Sequence, residues 1–79
     1  MESVNNLLVG ETAVVANING GSHHYRKRLF AAGIVPGASI TLSQKAPFGD
    51  LIKIAALGGC IALRAAEASI IKIIKTTKK

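Results

Sequence analysis

The side chains with most chemistry to offer lie in two short stretches. His23-His24-Tyr25-Arg26-Lys27-Arg28 sets two imidazoles beside three cations, and the segment from Lys53 to Arg64 holds the single thiol, Cys60, between two more. His23, His24 and Cys60 are the candidate ligands for a transition metal. Neighbouring residues on a helix do not face one another, however, and zinc or iron sites gather three or four donors. The pattern implies no more than weak ferrous iron or zinc binding, unless a homo-oligomer shares the site across its interface.

Catalysis has less support. No Ser/His/Asp or Cys/His order stands out, no pair of carboxylates is placed for acid/base work, and the glycine pairs sit in turns instead of opening a helix as a phosphate loop does. The expectation is a protein that is not an enzyme and requires no cofactor. The cations are more informative. Arg26, Lys27 and Arg28 fall in the first two turns of an expected helix, where the macrodipole disfavours positive charge by about 0.3 to 1 kcal/mol each. A broken local rule of this kind tends to mark a partnered site, so Arg28 is expected to be paired, with Asp50, Glu67 or an outside anion.

These side chains need elements to hold them. Val4 to Leu8 reads as a lead-in or a short helical turn. Thr12 to Ile18, dense in β-branched residues and closed by Asn19-Gly20-Gly21, predicts a strand. Ser22 is placed to cap a helix over 23–32, with Tyr25, Leu29 and Ala32 forming its apolar stripe and Gly33 ending it. Pro36-Gly37 fits the centre of a type II turn. The alternation over 39–46, with Ile40 and Leu42 on one face, predicts a half-buried strand, and Pro47 to Asp50 a turn. Residues 51–57 and 60–64 flank Gly58-Gly59 as a tight hairpin. A helical turn over 65–69 and a strand over 70–74, Ile71 and Ile73 facing in, complete the chain, with 75–79 a frayed basic tail. Five strands and one longer helix predict a small, strongly bent antiparallel sheet or partly open barrel.

If Gly58-Gly59 is the whole turn, Leu57 faces Cys60 and Lys53 faces Arg64. Ile52, Ile54, Ala56, Ile61 and Leu63 then line the core. The outer face carries Leu51, Lys53, Ala55, Leu57, Cys60, Ala62 and Arg64, which is apolar for a solvent face and ends in two like charges directly opposite each other. Such pairs are destabilising, so this face is expected to be covered, by the N-terminal segment, a second copy or an acidic partner. Arg28, Lys53, Leu57, Cys60 and Arg64 are the candidate partner-binding residues.

A chain of 79 residues, 49% hydrophobic and dominated by Ile, Leu, Val and Ala, predicts one small aliphatic-cored domain. The opening residues MESVNNLLVGET lack the features of a signal peptide, no uncharged apolar run approaches the roughly 20 residues of a membrane span, and one cysteine suits a reducing compartment. The expected location is cytoplasmic, with no membrane insertion. The formal charge of +6 invites nucleic acid, an anionic surface or an acidic protein. Only Tyr25, Phe30 and Phe48 could stack bases, which disfavours nucleic acid.

The order GETAVV at 10–15, RLFAAGIVPGA at 28–38, PFGD at 47–50 and IALRAAEA at 61–68 closely resembles the ferrous iron transport protein A (FeoA) family over nearly the whole chain. The resemblance implies a mainly β fold, an SH3-like β-barrel with one or two short helices, spanning 1–79 as one domain. It also implies a cytosolic accessory protein of ferrous iron uptake, acting on the membrane ferrous-iron transporter FeoB. Leu51, Cys60 and His23-His24 depart from the commonest family pattern. Two other readings stay open, a small basic nucleic-acid-binding barrel and a direct transition-metal-binding module.

Overall fold

The computed structural model describes residues 2–76. Its chain runs β1 (Glu2–Ser3), a 3-10 turn (Val4–Asn6), β2 (Thr12–Ile18), α1 (His23–Ala31), β3 (Ser39–Lys45), β4 (Leu51–Ala56), β5 (Gly59–Arg64), α2 (Ala65–Ala68) and β6 (Ile71–Lys75). The strands form one antiparallel sheet in the order β1-β6-β2-β3-β4-β5. This is the mainly β architecture with two short helices that the sequence implies.

Alternation builds the core. Ile40 and Leu42 of β3, Ile52 and Ile54 of β4, Leu63 of β5 and Ile71 and Ile73 of β6 are buried, as are Ala13 and Val15 of β2. Ala56, Ile61 and Ala32 pack against this cluster partly buried. Register shifts between Val15 and Asn17 and between Leu42 and Gln44 leave Ala16 and Ser43 unpaired in the ladder. An extra residue bends its strand and raises the local twist, so the two bulges curl the sheet toward a barrel.

The N-terminal segment bridges the two edges of that curl. β1 pairs with β6, Val4 and Leu7 are fully buried, and the Asn5 side-chain amide donates to the Ala65 carbonyl at 2.8 Å. The edge left by β5 is thereby joined through α2 to the other end of the sheet. The lead-in expected at 4–8 is thus a 3-10 turn, while β1 is a sixth strand that two residues give no local sign of. The C-terminus also differs from expectation. Lys75 pairs with Ala13 inside β6, and the Thr76 N–H donates to the Thr12 carbonyl at 3.1 Å, so the strand extends through the first residue assigned to a frayed tail. Residues 77–79 of that tail lie outside the described residues.

Ser22 caps α1 as its position predicts, its hydroxyl accepting from the Tyr25 N–H at 3.1 Å. At the other end Gly33 takes φ +86°, and a Cβ there would sit 3.0 Å from the Gly58 nitrogen. The corner after α1 therefore needs glycine twice over, for its backbone and for the hairpin tip lying against it.

Candidate functional site

The β4–β5 hairpin does not close as the glycine pair suggests. Ile54 faces Ile61, Lys53 faces Ala62, Leu51 faces Arg64, and Ala56 faces Gly59. The tip is therefore Leu57-Gly58. Shifting the pairing by two residues keeps each side chain on its expected face, but it separates Lys53 from Arg64 and removes the direct like-charge contact. The reason lies at Gly58. Its N–H donates to the Ala32 carbonyl at 3.1 Å, and a Cβ on it would come within 2.6 Å of the Ala32 carbonyl carbon. The tip is docked on the end of α1, so the second glycine, Gly59, falls in the strand with φ 126°.

The outer face of this hairpin is open. Leu57 is 100% exposed, and Leu51, Lys53, Cys60, Ala62 and Arg64 are all exposed. The chain's own N-terminal segment, one of the expected covers, pairs at the far end of the sheet instead. Three of the five candidate partner-binding residues, Lys53, Cys60 and Arg64, thus share a face, with Leu57 at the tip beyond it. The fifth, Arg28, sits on α1, exposed, with no hydrogen bond or ion pair among the described residues. The expectation that it is paired fails because α1 is only nine residues long, so that Arg28, counted among its first two turns, also lies in its last turn. There a cation complements the carbonyl end of the helix and needs no counter-charge. Arg26 instead finds partners, its Nη1 donating to the carbonyls of Gly20 at 3.0 Å and Ile18 at 3.4 Å. It fastens the helix to the loop before it.

The metal candidates are not brought together. His23 and His24 open α1, whereas Cys60 follows the tip docked at the other end of that helix. Eight steps at 1.5 Å per residue separate the two ends by about 12 Å. Among the described residues no three His, Cys, Asp or Glu side chains cluster as a metal site.

One feature was missed from the sequence. Beside α1 lies an open groove of about 510 Å³, with Ile18, Phe30, Ile34, Val35 and Pro36 among its lining and His23, Arg26 and Lys27 also contributing. Phe30 is 73% exposed. It stands off the Tyr25-Leu29-Ala32 stripe, and an aromatic on the side of a helix turned from the core was the available signal. A smaller depression of about 340 Å³ lies against the outer hairpin face, where Lys45, Pro47, Leu51, Lys53 and Ala62 meet. No helix among the described residues is long and apolar enough to cross a membrane.

Known proteins agree with this architecture. No curated protein sequence matches the chain. Among solved structures, the FeoA protein of Chlorobium tepidum is 28% identical with a TM-score of 0.84, the match covering 95% of this chain and 70% of that one. The FeoA-like protein of Clostridium acetobutylicum is 27% identical with a TM-score of 0.81, covering 99% and 90%. Stenotrophomonas maltophilia FeoA, a prokaryotic SH3-domain protein solved with zinc, shares the fold at 22% identity and a TM-score of 0.77, covering 94% and 91%. The curled sheet is thus an SH3-like barrel. A model of the FeoA domain matches residues 3–75, and with nearly the whole sheet inside that match the chain belongs to the FeoA family, which is linked to ferrous iron transport.

Proposed function

We propose that this protein is a cytosolic accessory factor of ferrous iron uptake, a protein-interaction module acting on the cytosolic side of a FeoB-type ferrous iron transporter. It carries out no chemistry and requires no cofactor. The observation that carries this reading is the FeoA domain over residues 3–75. The surface supports it. Phe30, an aromatic that a small domain would ordinarily bury, stands 73% exposed in one groove lining with the exposed Lys27. Exposed apolar groups rimmed by charge mark interaction sites more often than solvent surface.

The test is a pull-down of the purified chain with the transporter's cytosolic domain, repeated with excess RNA as competitor. Saturable capture that RNA leaves unchanged is expected. Absence of capture, together with RNA binding that weakens steeply with salt, would replace this reading with a nucleic-acid-binding barrel.

A further inference from the structure

We propose that the groove beside α1 is the docking surface, and that its occupant is a short segment of a partner protein carrying two or three apolar side chains flanked by carboxylates. The inference rests on the proposed function, since it names the surface through which the transporter would be held.

Shape and lining come first. About 510 Å³ lies within the roughly 300 to 1,000 Å³ typical of binding pockets. Its walls are Ile18, Phe30, Ile34, Val35 and Pro36. They are also preformed: Arg26 ties the helix to the carbonyls of Ile18 and Gly20, and Gly58 ties the helix end to the hairpin at 3.1 Å. A groove fixed before binding spares the ordering cost that weakens flexible sites.

Charge then selects the occupant. His23, Arg26 and Lys27 contribute to the groove, and no carboxylate does. Glu2 lies on β1, Glu11 sits 3.6 Å from Lys75, Asp50 lies in the turn before β4, and Glu67 accepts from the Arg64 N–H in α2. Anything that fills the groove therefore meets cationic side chains and no carboxylate in its lining, and an acidic segment is complementary to it. A second copy of this chain brings a formal charge of +6 against the same sign. Nucleic acid would set phosphates and bases against an aliphatic wall with one exposed ring, Phe30. A lipid surface needs apolar groups that protrude, and this lining is concave.

The experiment titrates the full chain, isotope-labelled, with the transporter's cytosolic domain, and measures affinity for the wild type, F30A, K27E and the hairpin-face double variant K53E/R64E. Phe30 and Lys27 are exposed, so unchanged thermal unfolding would show the folds intact. Shifts at Ile18, Phe30 and Val35, with binding at least about tenfold weaker in F30A and in K27E and nearly unchanged in K53E/R64E, are expected. Binding that shifts only the hairpin face, or that F30A and K27E leave unaltered, would overturn the groove and leave the proposed function standing. No binding by the wild type would overturn both. Sedimentation showing that Phe30 mediates self-association would assign the groove to a second copy instead.

Discussion

The hydroxyl of Tyr25 donates to the Glu67 carbonyl at 2.7 Å, joining α1 to α2 from within the apolar stripe that buries its ring. Burial, and secondarily the Glu67 carboxylate, push its pKa from 10.0 to about 12. The neutral form is the one the fold favours, so its contribution is complete below the unfolded value of 10.0 and declines as pH rises toward about 12. Denaturation followed between pH 8 and 12 should show that alkaline loss, and Y25F should lack it. At neutral pH the same substitution should cost about 0.5 to 1.5 kcal/mol through the lost hydrogen bond. The alternation of His23-His24-Tyr25 told nothing of this, because the partner carbonyl lies 42 residues away. Arg28 teaches the converse: its apparent conflict with the helix dipole came from counting turns forward from Ser22, and vanishes when they are counted back from Ala31, one residue short of the expected end, because in nine residues Arg28 also belongs to the last turn.

Between elements, the hairpin and α1 meet through backbone alone. Gly58 has no positive φ, so its lack of a side chain answers to space and not to conformation. A methyl there would meet the Ala32 carbonyl oxygen at 2.7 Å and the Ala31 oxygen at 2.8 Å, and both are main-chain atoms with little room to yield. G58A should destabilise the domain by about 1 to 3 kcal/mol, read as a fall in Tm of several degrees in a domain of this size, although the backbone there has no positive φ to strain an alanine. The strand periods and the Ser22 cap were legible because they depend on neighbours in sequence. Register at the hairpin was not, since two adjacent glycines offer two turns and the choice is made by a helix some 25 residues upstream.

Across the whole molecule, the two edges of the curled sheet are bridged by residues that look dispensable in the sequence. Leu7 is fully buried, yet it follows a 3-10 turn and belongs to no strand. Cutting such a side chain to methyl typically costs about 2 to 5 kcal/mol, and domains of this kind hold only about 5 to 15 kcal/mol in total. L7A should lose a large part of the stability in chemical denaturation, while L8A at the exposed neighbour should stay within about 0.5 kcal/mol. Neither β1 nor the groove was visible beforehand, for one physical reason: both exist only after chain ends and helix are brought together. The aliphatic core, by contrast, was read from the alternation of Ile40, Leu42, Ile52, Ile54, Ile71 and Ile73, and the whole-chain family pattern identified the barrel they fill.

The amide of Gly58 sits beside a leucine that water surrounds completely, yet its proton is held by the Ala32 carbonyl at 3.1 Å. In a deuterium exchange experiment most loop-tip amides are replaced almost at once, because they open without disturbing the rest of the fold. The Gly58 amide should exchange orders of magnitude more slowly than those of Gly20 and Phe48. It would thus report, at a single signal, whether the seam between helix and hairpin stays shut.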